Sequence, residues 1–108
     1  MEKININSRH KAWLLGVDES KSPIEIAYGT KKDYDGRLPH KHEKVHEYYI
    51  IIKGTGKLCI NNIETTLKEG DVIYIEPGEI HNIESISEDF QNYTIKWPHL
   101  PKDKIIIK

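Results

Sequence analysis

The chain has 108 residues, room for one core and one site rather than a two-domain machine. Hydrophobic residues at 37% and charged residues at 31% are ordinary for a globular protein and too apolar for a disordered one. The formal net charge of −1 lacks the basic excess of a protein that works on nucleic-acid backbone or an anionic membrane surface. Taken in chain order, β-type runs fall at Ala12–Val17, Ile24–Tyr28, Glu47–Lys53, Lys57–Ile60, Ile63–Leu67, Val72–Ile75, His81–Ile86 and Phe90–Trp97. Ile105–Ile107 adds a candidate edge strand, and little of the chain reads as helical. Tyr, Ile, Val and Thr dominate these runs because branched and aromatic side chains suit a pleated, half-buried surface.

The turns between the runs are equally legible. Gly54-Thr55-Gly56 lets the chain reverse between two strands, since glycine accepts positive φ without a Cβ penalty. Asn61-Asn62 suits a two-residue hairpin, because asparagine tolerates the left-handed conformation. Glu69-Gly70-Asp71 and Pro77-Gly78 punctuate the next pair. Many short antiparallel strands at this spacing predict a sandwich or barrel. Cys59 is the single cysteine, so no internal disulfide holds the fold. The polar stretch from Met1 to Lys11 lacks the apolar segment of a signal peptide, and no apolar run nears the ~20 residues that cross a bilayer. The expected location is a reducing cytoplasm.

The segment from Gly36 to Gly54 stands out. In extended chain, residues two apart share a face, so His40 and His42 present two imidazoles to one side while Lys41 faces away. Glu47, after a short bend, can bring a carboxylate to the same place, and His81 follows the Pro77-Gly78 turn far along the chain. Three imidazoles and a carboxylate form a mixed N/O set suited to one divalent transition metal (Zn, Mn, Fe, Ni or Co) rather than Ca or Mg.

Both segments resemble the two signature motifs of the cupins: G-x3-HxH-x4-E-x6-G from Gly36 to Gly54, and G-x7-G-x2-H from Gly70 to His81. The resemblance, which runs from about Gly36 to Ile86, implies an all-β fold: one cupin domain over residues 1–108, a double-stranded β-helix or jelly-roll barrel. It further implies a metal held inside by His40, His42, Glu47 and His81. Glu76 departs from the family pattern where many cupins have proline, and Ser85 where the motif often ends in asparagine. Neither is a ligand position. The family includes dioxygenases, sugar-phosphate isomerases, nucleotide-sugar epimerases and non-catalytic binding domains. The expected function is a metal-dependent enzyme, dioxygenase-like or isomerase/epimerase-like, that acts on a small polar molecule. A non-catalytic module that binds a sugar-type molecule is the alternative. Cupin barrels pair through an edge strand, so a homodimer is expected, with no nucleic-acid or membrane partner.

A competing motif occupies the same residues. His42-Glu43-Lys44-Val45-His46 spells HExxH, a zinc-protease signature that requires a helix to bring its two histidines together. Pro39 before it and the strand-forming Glu47–Ile52 after it oppose that helix. His46 is expected opposite to Glu47, at the rim. Tyr49 and Ile51 share Glu47's side and are candidates for the cavity wall, Tyr49 also as a catalytic proton donor. Cys59 is expected as a buried, inert thiol. Tyr93, Ile95 and Trp97 share a face that either packs in the core or stacks on a flat ligand. Glu76, Glu79, Arg37 and Lys41 are rim candidates, with solvated surface as the plain reading, and His10 and His99 are expected at the surface or in packing.

Overall fold

The alternation of branched and polar residues folds as the pleat demands, into ten strands among the described residues. The computed structural model of the protein describes all residues other than 2, 10–11, 17–20 and 108. The strands are β1 (Trp13–Leu15), β2 (Glu25–Thr30), β3 (His40–Lys41), β4 (His46–Lys53), β5 (Thr55–Ile60), β6 (Ile63–Lys68), β7 (Val72–Ile75), β8 (His81–Ile86), β9 (Gln91–Trp97) and β10 (Ile105–Ile106). They form two antiparallel sheets, ordered β1-β2-β9-β4-β7 and β10-β3-β8-β5-β6. This is the expected all-β double-stranded β-helix. No helix among the described residues is long and apolar enough to cross a membrane.

The hairpin at Asn61-Asn62 forms as its residues require: both have positive φ, 49° and 67°, and Ile60 faces Ile63 across the turn. Gly54 does something other than the simple reversal its neighbours suggest. It has φ of +83°, but β4 and β5 belong to different sheets, so the turn carries the chain across the barrel. A side chain there is excluded twice, by φ and by Phe90 Cα, which would lie 2.9 Å from an added Cβ.

Between the sheets, Tyr49, Ile51, Leu58, Leu67, Ile75, Ile83 and Phe90 form the core. Each side chain of the size of Leu58, fully buried here, contributes about 2 kcal/mol through removal from water. A short helix, α1 (Lys31–Tyr34), closes one part of this core and was not legible in the sequence, since four residues span barely one turn. Its start is set by Asp33, whose carboxylate accepts from both Thr30 N and Thr30 Oγ1. The helix drives Tyr34 inward, where its hydroxyl donates to Asn92 Oδ1 at 2.8 Å and its ring meets Phe90 edge-on.

Candidate metal centre

The polar end of the barrel is assembled from both sheets. His40 on β3 sits directly opposite His81 on β8 in the strand register, which sets two imidazoles side by side with ring centroids 4.3 Å apart. His42 lies two residues beyond His40 on the same side, and its carbonyl accepts from Gly78 N at 2.6 Å. That bond ties the Pro77-Gly78 turn, and so the start of β8, to the histidine pair. Glu47 reaches the same place from β4 in the opposite sheet. His40, His42, Glu47 and His81 are 4%, 5%, 2% and 1% exposed, and their candidate donor atoms lie within 4.8 Å of one another. Donors bonded at about 2.1 Å to one ion lie up to about 4.2 Å apart, so a small adjustment of side-chain ends brings the set into coordination range.

The hydrogen bonds around the rings test whether a cation fits. Each Nδ1 meets a backbone carbonyl: His40 with Leu38, His42 with Asp103, His81 with Glu79. A carbonyl can only accept, so each Nδ1 carries its proton, and in a neutral ring Nε2 then holds the lone pair available to a metal. His42 Nε2 is buried without a hydrogen-bond partner, and Glu47 Oε1 lies 3.0 Å from His81 Nε2 and 3.7 Å from His42 Nε2. Lone pairs gathered on a carboxylate are an unfavourable arrangement that a cation resolves. The residues present therefore fit a divalent metal ion.

The charge states agree. Burial, then the neighbouring His81, lowers His40 to about 4, so its ring is neutral at physiological pH and free to act as a ligand. Burial would raise Glu47, but the close approach of the His42 and His81 rings and the charge of Lys96 outweigh it and hold the carboxyl well below its ordinary value. Tyr49, buried beside it, donates to Glu47 Oε1 at 3.4 Å. Burial and the Glu47 charge raise that phenol well above 10, so it stays protonated.

Other expectations resolve differently. Residues 43–44 form a bend and none of residues 42–45 is helical, while His46 opens β4 with its ring on the outer face, where Nδ1 meets Tyr74 Oη at 2.6 Å. The HExxH reading is overturned, because its second histidine points away from the cluster. Cys59 is only half-buried, since alternation on β5 gives the inward position to Leu58. The face of β9 that carries Tyr93, Ile95 and Trp97 is the outer one: Asn92 and Thr94 are buried inside, while Trp97 is half exposed. Ile51 takes the inward position expected of it, fully buried. Glu79 accepts from Glu76 N at the turn, Lys41 pairs with Glu43, and His99 lies 3.6 Å from Glu25. His10 falls outside the described residues.

One supporting residue escaped the sequence altogether. Asp103 accepts at its carboxylate from the backbone N–H groups of Glu43, Lys44 and Val45 at 2.9 Å each, while its carbonyl accepts from His42. Those partners lie 58–61 residues away, and nothing local in Pro101–Lys104 signals the contact. Beside the cluster opens a cavity of about 340 Å3, lined among others by Trp13, Glu25, Arg37, His42, Lys96 and Lys104.

Fold and site together define a small double-stranded β-helix protein whose barrel end has the donors to hold a divalent metal. The chain belongs to the cupin family: the Cupin domain model matches residues 26–92. Over 77 residues it is 37% identical to the uncharacterized protein MJ1618 of Methanocaldococcus jannaschii, covering 71% of this chain and 58% of that protein. Over 46 residues it is 41% identical to an oxalate-binding protein of Thermotoga maritima, covering 43% of this chain and 38% of that one. The chain thus spans little more than half the first relative and about two-fifths of the second. Among solved structures it is similar to Pac13, a nucleoside dehydratase of Streptomyces, with TM-score 0.75 and 12% identity over all of this chain and 92% of that one. At that identity the likeness is one of fold.

Proposed function

We propose that this protein is a metal-dependent cupin enzyme that acts on a small polar molecule bound beside a divalent ion held by His40, His42, Glu47 and His81. The observation that carries the reading is the set of three imidazoles, each anchored through Nδ1 to a backbone carbonyl, with candidate donor atoms within 4.8 Å of one another and of the Glu47 carboxylate. Such an ion supplies Lewis-acid polarisation of a substrate oxygen. The chain's own groups do the rest. The backbone carbonyls hold the rings in one tautomer and orientation, which removes the cost of ordering them on binding. Glu47 brings negative charge into a buried site, and Tyr49 keeps a proton at its hydroxyl, positioned as a donor rather than a base. A nearby cavity of about 340 Å3 suits a small substrate.

A second reading, a module that binds its ligand without turnover, is favoured by the similarity to an oxalate-binding protein. Oxygen-consumption and isomerisation screens separate the two: an enzyme turns over, whereas a module shows only ligand-induced stabilisation. The first test is elemental mass spectrometry on tag-free protein purified without chelator or nickel resin. Near-stoichiometric Zn, Mn, Fe, Ni or Co that is lost in His81→Ala and kept in His46→Ala is expected. Equal retention in both variants, or no metal and no uptake on reconstitution, refutes the four-residue centre.

A further inference from the structure

The cavity beside the cluster gathers more positive charge than it neutralises. Arg37, Lys96 and Lys104 line it, and among the described residues none of the three forms an ion pair with a carboxylate. Among the described residues two acids share the lining, against three cations. Asp103 spends its carboxylate on three backbone N–H groups, while buried Glu25 stands opposite Lys96 in the strand register, 3.6 Å from His99. The cations are nonetheless held in place. The Arg37 guanidinium sits over the Tyr34 ring and donates through Nε to the Asp33 carbonyl, and its terminal amino groups meet no hydrogen-bond or ion-pair partner among the described residues. The Lys96 ammonium sits over the Trp13 ring, 4.9 Å from its centroid. Lys96 faces Glu47 across the strand register, so it shares the inward side with the cluster.

These charges feel one another. Partial burial, then repulsion from Arg37 and Lys96, lowers the Lys104 ammonium below its ordinary value. Three like charges converging on a concave surface are unfavourable alone and favourable around an anion. A neutral polar ligand would leave all three unpaired.

We propose that this cavity recognises a small oxyanion carrying two negative charges, held by Arg37, Lys96 and Lys104 next to the metal cluster. The assignment rests on the reading of this barrel end as a ligand site and deepens it by naming the charge class. A volume of about 340 Å3, at the low end for ligand pockets, limits the anion to the size of a small metabolite.

The test titrates malonate and its neutral isostere malonamide calorimetrically into zinc-loaded and metal-free protein, with zinc content measured on the same samples. Malonate is expected to bind at least about tenfold tighter than malonamide and to weaken as salt rises. Lys96→Gln, Lys104→Gln and Arg37→Gln are each expected to weaken malonate about tenfold while zinc content stays at the wild-type level. Equal affinity for the two probes, or no binding of either, overturns the proposal. Unchanged malonate affinity in all three variants also overturns it, since the metal alone would then supply the anion contact. If zinc does not bind but the malonate preference and its dependence on the three cations persist, the anion site stands and the metal centre falls. If one equivalent of zinc binds without a malonate preference, the metal centre stands and the anion site falls.

Discussion

Replacing Asp103 with alanine removes the acceptor for three N–H groups of the segment that links His42 to β4. A hydrogen bond to a charged acceptor contributes about 1.5 kcal/mol where it is shielded, as for Val45, and about 0.5 kcal/mol where water can replace it, as for Glu43 and Lys44. The expected loss is about 2.5 kcal/mol, which lowers the Tm by about 10–15 °C in a domain of this size. Asp103→Asn keeps one carbonyl acceptor and should lose about half as much. The damage extends to the site, because the Asp103 carbonyl fixes the Nδ1 proton of His42 and this segment positions that carbonyl. Metal affinity is therefore expected to weaken about tenfold or more in the alanine variant. Urea denaturation in chelator gives the stability loss, and competition with a coloured chelator gives the affinity. An alanine variant within about 0.5 kcal/mol of wild type refutes the hydrogen-bond argument. A destabilised variant with unaltered metal affinity refutes the coupling to His42.

Two further outcomes follow from charge and packing. His40 is lowered in the fold to about 4 from 6.5, so the unfolded chain binds the extra proton between those values and metal-free protein loses stability as pH falls through that window. The full shift corresponds to about 3 kcal/mol, and about 2 kcal/mol after solvent screening at the barrel mouth. Glu47, held well below 4.5, adds a further loss in the same direction at lower pH. Urea midpoints measured in chelator should fall from pH 6.5 to 4 in wild type and less in His40→Gln; parallel profiles would show that the His40 environment is misjudged. Gly29→Ala places a Cβ 2.7 Å from both Asn92 Oδ1 and Tyr34 Cε2, within the buried Tyr34–Asn92–Thr94 network, and should cost about 2 kcal/mol. A loss under about 0.5 kcal/mol in equilibrium unfolding would mean that Tyr34 moves freely, against its packed contact with Phe90.

Local chemistry accounts for what was legible before folding. The Asn61-Asn62 hairpin depends only on two residues that tolerate positive φ. The four residues of the candidate centre stood out because their spacing encodes shared faces: His40 and His42 by the two-residue repeat, Glu47 at the head of a strand, His81 after a glycine turn. The β4 alternation correctly sent Glu47, Tyr49 and Ile51 inward together.

On β9 the same alternation divided the residues into two sets but did not say which set faces in. The more apolar set, Tyr93, Ile95 and Trp97, lies outside, because the inner face completes a polar network and a cavity with Asn92, Thr94 and Lys96. Gly54 announced a turn, yet only the pairing of distant strands made it a crossing between sheets. His46 lost its place in a zinc motif because β4 begins there and the pleat rotates it outward.

What the sequence by itself determined is the strand-rich composition, the turn positions and the four candidate donors, carried by two short motifs, Gly36–Gly54 and Gly70–His81, each legible from its own local spacing. Only the tertiary structure decided that Asp103 props the His42 segment and that Arg37, Lys96 and Lys104 converge on one cavity. The physical reason is that these groups meet through sheet closure, across separations at which local spacing carries no geometric information.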